Sequence, residues 1–269
     1  MRLPGSKGTV AGCLGVVCLV TTAHAVEGPN DTRTLPCRPT IACTADLVPP
    51  GAFELEAGVL FRSINGSGRQ WTFPFLAKLT MSEWAQLQLG SNGYSFARGD
   101  VPAQFLDDLT PGVKVHLLDQ DSVLPSLSFS ALASIPTFRG EGYLRTYDTL
   151  FTGYITKDLG WFHADLNMGL NVWRVQDPRP QEWVALAISG NLPPPFGIMA
   201  EGYYFTNASP IATRDGGLLF AICHSPKPWL MFDFGGDVGY FPSTRAYSVF
   251  AGMSIVPMLF WQGAVRPRN

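Results

Sequence analysis

Charge is scarce in this chain. Only 15% of its 269 residues are Asp, Glu, Lys or Arg, while 46% are hydrophobic and 12% aromatic. A soluble domain carries about 25% charged residues. Long apolar runs are missing as well. Beyond the N-terminus no stretch is apolar for long enough to form a membrane-spanning helix. Basic excess is absent: 19 Lys and Arg stand against 21 Asp and Glu, without a basic patch, which excludes nucleic acid as a partner. Signatures of chemistry are missing too. There is no G-x-S-x-G elbow, no H-E-x-x-H helix and no cofactor-binding motif. Cys37 and Cys43 have no nearby histidine to complete a metal site. What remains fits a closed sheet, because only helices and closed barrels satisfy their own backbone groups in lipid.

The N-terminus is the one strongly apolar stretch. Arg2 and Lys7 precede an apolar core from Val10 to Val20, and Ala23-His24-Ala25 is a small-x-small step. Residues 1–25 therefore read as the signal peptide of an exported protein. Residues 26–50 are polar, proline-rich and without periodicity, and are expected to form an irregular periplasmic lead-in. Residues 51–261 are the expected barrel and 262–269 a tail. Cys13 and Cys18 lie in the signal. Cys37 and Cys43 (CRPTIAC) bracket a short loop and are disulfide candidates in an oxidising compartment.

From Gly51 onward the hydrophobic pattern has period two. Phe162, Ala164, Leu166, Met168, Leu170 and Val172 share one face, and His163, Asp165, Asn167, Gly169 and Asn171 the other. Such alternation marks strands with one wet and one greasy face. Twelve segments repeat it, near 52–63, 70–80, 83–93, 111–118, 124–135, 146–157, 161–173, 182–190, 196–205, 216–224, 229–240 and 246–256. The fold class is all-β: an antiparallel, up-and-down transmembrane barrel. Even-numbered connections, such as Met81-Ser82 and Asp158-Leu159-Gly160, are short, as periplasmic turns are. Most odd ones are longer, above all Tyr94–Pro111, expected to be an outer loop. Aromatics gather at strand ends, among them Trp71, Trp84, Tyr94, Trp161, Trp183, Tyr203, Tyr204, Phe205, Trp229 and Tyr240. They are expected to form interfacial girdles.

The inward face carries Glu54, Glu56, Arg62, Lys78, Lys114, His116, His163, Asp165, Asn167, Glu201, Asp233 and Asp237 as lumen-lining candidates. Two readings compete. Paired charges fill a narrow bore, since buried charge needs partners, or they line a solute path and tune its selectivity. His163 and Asp165 also make part of a Ser-His-Asp set if Ser126, Ser128 or Ser130 approaches them. The Gly235-Gly236 step inside a strand leaves room for a bend or for a neighbouring side chain.

Ala45–Phe61 (ADLVPPGAFELEAGVLF), Lys78–Gly90 (KLTMSEWAQLQLG), Asp165–Leu170 (DLNMGL) and Phe232–Tyr240 (FDFGGDVGY) together resemble the MetA-pathway phenol-degradation, or "transporter", family of outer-membrane proteins. The resemblance implies a twelve-stranded barrel that takes up aromatic or other small hydrophobic compounds, and it supplies no catalytic residue. One departure stands out: Phe260 and Trp261, the expected aromatic end read by the barrel-assembly machinery, are followed by residues 262–269. The expectation is a bacterial outer-membrane channel or passive transporter, not an enzyme, with lipid, a small solute and the assembly machinery as partners. Its rivals are a plugged barrel that binds a partner through its outer loops, and an outer-membrane hydrolase. Whether residues 26–50 or inward side chains seal the bore separates the first two.

Overall fold

The computed structural model describes residues 32–64, 68–98, 103–137, 148–173, 179–207, 214–241 and 247–261. The expected signal peptide and tail lie outside them. Strands follow one another from β1 (Ala52–Ile64), β2 (Gly68–Thr72), β3 (Phe75–Ser82), β4 (Ala85–Ser91), β5 (Tyr94–Arg98), β6 (Ala103–Leu106) and β7 (Thr110–Leu118) to β8 (Ser126–Ala133). They continue through β9 (Thr149–Leu159), β10 (Phe162–Trp173), β11 (Arg179–Asn191), β12 (Phe196–Phe205), β13 (Asp215–Lys227), β14 (Leu230–Gly239) and β15 (Tyr247–Leu259). All pairings are antiparallel, and β15 returns to pair with β1, so the sheet is a closed barrel.

The fifteen segments make twelve staves, because β2–β3, β4–β5 and β6–β7 are each one strand broken once. The breaks have local causes. Pro74 has no N–H to give a ladder. Gly93 adopts φ 64°, a left-handed conformation that favours glycine. The breaks are also neighbours: the Phe73 N–H donates to the Tyr94 carbonyl at 3.0 Å and the Asp107 N–H to the Gly93 carbonyl at 2.8 Å. One bend line thus crosses three adjacent staves. This corrects the expected Tyr94–Pro111 loop, since Tyr94–Arg98 and Ala103–Leu106 are strands. The bend interrupts the alternation at Gly93 and again at Asp107, which hid the two short segments beyond it.

Polarity is inverted relative to a soluble protein. Leu186, Ile188, Phe220, Ile222 and Phe234 are exposed on the outer face. Their chain neighbours Ala185, Ala187, Leu219, Ala221 and Asp233 are buried within. An apolar belt outside a polar bore needs lipid as its surroundings. Among the described residues no helix is long and apolar enough to cross a membrane.

Connections differ between the rims. Glu83-Trp84, residues 119–125, Gly160-Trp161, residues 192–195 and Pro228-Trp229 turn at the rim where the barrel begins and ends. Ile64, Arg98, Ala133, Trp173, Phe205 and Gly239 end strands at the other rim, and the stretches to the next strands are mostly longer in sequence. In the 119–125 turn the Asp121 carboxylate accepts the Val123 and Leu124 N–H groups, both at 2.7 Å. These bonds hold its carboxyl below the usual range. Trp84 and Trp161 stand exposed at the short-turn rim, Tyr204 and Tyr240 at the other, and Tyr94 at the bend between them. Trp183, Tyr203, Phe205 and Trp229 depart from the expected girdle. Tyr203 is buried, and the other three pack against the buried core.

Placing a charge on the belt tests the membrane reading. Leu186→Arg, near the middle of β11, is expected to cost about 2–4 kcal/mol, and Tyr204→Arg near the rim about 0–1 kcal/mol. Reversible urea unfolding in vesicles measures both.

Candidate functional site in the lumen

Residues 32–50 form no strand. Pro36, Pro39, Pro49 and Pro50 cannot donate to a ladder. The backbone groups between them still need partners once water is excluded, and they find them on the barrel wall. The segment was expected in the periplasm. Instead it enters the bore at the β13–β14 turn, where the Thr34 N–H donates to the Pro228 carbonyl at 3.0 Å. The Leu35 N–H donates to Glu54 at 2.9 Å, and the Leu35 carbonyl accepts from Lys78 Nζ at 2.7 Å. Cys37 and Arg38 each donate an N–H to Glu56 at 3.0 Å. Ile41 and Ala42 do the same to Glu201 at 2.8 Å.

The descending half uses other strands. The Asn167 amide brackets Cys43, accepting its N–H at 2.7 Å and donating to its carbonyl at 2.9 Å. Lys114 Nζ donates to the Thr44 carbonyl at 2.5 Å. The Ala45 N–H donates to Thr156 Oγ1 at 2.7 Å, and its carbonyl accepts the Ser128 hydroxyl. Ser126 donates to the Asp46 carboxylate at 2.7 Å. The chain then leaves the bore and becomes β1. A bond between Cys37 and Cys43 ties the two halves together. The segment is a stopper fastened to β1, β3, β7, β8, β9, β10, β12, β14 and β15.

The wall is shaped to it. Arg38 Nη2 lies 3.4 Å from Asp233 Oδ1 and 3.3 Å from the Ala251 carbonyl. Gly58 and Gly252 face each other across the β1–β15 pair. A Cβ on either would collide with the Arg38 guanidinium and with a backbone carbonyl of the paired strand, Ala251 for Gly58 and Ala57 for Gly252, so the two missing side chains make its seat and let the seam pack closely. Gly235 serves in the same way, leaving space beside Phe250.

Glu54, Glu56, Lys78, Lys114, Asn167, Glu201 and Asp233 thus all touch the stopper. Lys78 also sits between Glu54 and Glu56 at 2.7 and 2.6 Å, so the two buried carboxylates share one cation. His116 Nδ1 lies 3.3 Å from the Ala45 carbonyl and 3.1 Å from Ser128 Oγ. Asp237 accepts the Tyr203 and Ser248 hydroxyls. Arg62 stands beyond Gly58, towards the long-connection rim. His163 bridges two carboxylates, Asp158 at 2.6 Å and Asp165 at 3.2 Å.

That last arrangement bears on the hydrolase reading. Ser126 bonds Asp46, Ser128 bonds Ala45 and His116, and Ser130 bonds Tyr154 at 2.8 Å. None of these hydroxyls is bonded to His163. His116, Ser128 and Asp119 do form a line, with Nε2 3.1 Å from Asp119. Ser128 is buried against Ala45, which leaves no room there for a substrate.

Above the stopper a pocket of ≈ 230 Å³ occupies the half of the bore towards the long-connection rim. Leu132, Leu150, Tyr154, Trp183 and Phe205 line it, and Ile41 and Cys43 form its floor. Trp183 and Phe205 stack at 5.9 Å, and Gly169 leaves space for the indole. Polar groups are few, Asn167 and Asn171 among them. Reading strand-end aromatics as girdle residues concealed this pocket. The period-two pattern, followed to the end of β11 and β12, turns Trp183 and Phe205 inward.

Solved structures similar to this one include membrane barrels. The crystal structure of the COG4313 outer membrane channel from Pseudomonas putida F1 matches with a TM-score of 0.57 and 11% identity, over 78% of this chain and 97% of that one. The KdgM porin matches with a TM-score of 0.45 and 10% identity, over 75% of this chain and 98% of that one. The first likeness is one of fold. No protein-family model and no curated protein matches the sequence.

Filling the arginine seat tests the stopper. Gly252→Leu is expected to unseat Arg38 while the barrel still shows heat-modifiable gel migration. After mild reduction, Cys37 and Cys43 of that variant are expected to react with a bulky maleimide at least about tenfold faster than in the parent, because exchange of a packed segment is limited by its opening.

Proposed function

We propose that the protein is a bacterial outer-membrane channel for small, mainly apolar molecules. It holds its solute in the vestibule above the stopper and passes it when residues 32–50 shift. The observation that carries this is the aromatic pocket floored by the stopper itself. Its volume is below the roughly 300–1,000 Å³ of drug-sized sites, which suits a molecule of about one aromatic ring. The barrel fold, the signal peptide expected from the sequence and the resemblance to the phenol-degradation family support the same reading. Short turns and the barrel's two ends on one rim orient that rim to the periplasm, so the vestibule opens outward. Flux in this reading is passive, down the solute's gradient.

Titration with a monocyclic aromatic such as toluene is expected to quench Trp183 fluorescence saturably. Phe205→Ala removes the stacking partner and is expected to weaken binding roughly 3- to 10-fold, as loss of an aromatic pair implies. In planar bilayers the parent stays mostly closed and Gly252→Leu conducts. The sealed bore favours one rival, a plugged barrel that contacts a partner. An aromatic solute that neither binds the parent nor crosses with the Gly252→Leu variant would leave that rival standing.

A further inference from the structure

Beyond the bend line, the outer face of the sheet carries two rows of side chains. Cross-strand register places Val249, Phe61, Trp71 and Phe96 side by side in one row. The next row, nearer the rim, is Tyr247, Ser63, Arg69 and Arg98. The orientation is fixed from within, because the alternate residues Thr72 and Ser95 are buried and share a hydroxyl hydrogen bond. Trp71 lies 4.8 Å from Phe61 and stacks on Phe96 at 6.3 Å, forming an aromatic shelf that faces lipid.

Arg69 and Arg98 stand directly opposite each other above that shelf, and both are exposed. Neither has a carboxylate or hydrogen-bond partner among the described residues. Like charges opposite one another in a ladder repel, so the pair calls for a shared counter-anion. Aromatic rings mark the headgroup level of a membrane. Guanidinium forks match the geometry of phosphate oxygens.

We propose that Arg69 and Arg98 bind the phosphate of a phosphorylated glycolipid in the outer leaflet, with its acyl chains lying on Trp71, Phe96 and the exposed Phe73. One molecule supplies both the anion for the arginines and the apolar cover for the rings, which free phosphate does not. This rests on the barrel lying in an outer membrane with this rim outward, and is independent of what passes through the bore.

The test uses the full exported protein in detergent and native mass spectrometry with diphosphorylated lipid A. The parent is expected to retain the lipid. The double variant Arg69→Gln/Arg98→Gln, with heat-modifiable migration intact, is expected to lose at least about tenfold in affinity, and Arg69→Lys/Arg98→Lys to recover part of it. Enzymatically dephosphorylated lipid A should bind the parent as weakly as lipid A binds the double variant. Equal retention by the parent and the Gln variant overturns the proposal, as does equal binding of the dephosphorylated lipid. Inorganic phosphate that binds as tightly as the lipid overturns the choice of ligand. A protein that fails to insert into vesicles at all sinks the membrane reading instead.

Discussion

An irregular, proline-broken peptide packed inside a barrel needs partners for its buried backbone N–H and carbonyl groups. That constraint organises this molecule. The polar residues of the wall answer it one by one: Glu54, Glu56 and Glu201 accept N–H groups, while Lys78, Lys114 and Ser128 donate to carbonyls. These wall residues are therefore neither a bare ion path nor a network closed on itself. They are a mould for one particular segment of the same chain. Removing one partner of such a buried bond leaves the other unsatisfied, which costs more than the bond contributes.

The stopper also creates the vestibule. Its tip, closed by the Cys37–Cys43 bond, provides a floor, and the inward rings of β11 and β12 provide walls. The bore is thus divided along its length. Hydrogen bonding to the stopper fills the half nearer the short turns, and in the other half the apolar lining of the pocket stands beside Arg62 and Asp237.

Much of the barrel was legible in the sequence, because a strand exposed to lipid on one side and a polar bore on the other must alternate at every residue. Where that alternation held, as in β10 and β14, faces and approximate bounds could be read directly. It was lost where Pro74, Gly93 and Asp107 bend three staves together, and the short strands beyond read as loop. The inward face of most candidates followed from parity alone. Their task did not, since Glu56 and Glu201 are occupied by main-chain N–H groups, which are the same whatever the side chain. Trp183 and Phe205 were readable as inward, but their place at strand ends suggested the membrane interface instead.

The seat of Arg38 has a consequence for assembly. The two glycines that form it lie on opposite sides of the seam between β1 and β15, and its charge partner Asp233 is on β14. The earliest part of the barrel to be synthesised is thus anchored on the last strands to be made. A chain lacking its final hairpin has a stopper without its Arg38 seat, since Asp233 and the Ala251 carbonyl are both in that hairpin. Seating Arg38 and closing the β1–β15 seam thus draw on the same residues, and the finished cylinder encircles the segment that precedes its first strand.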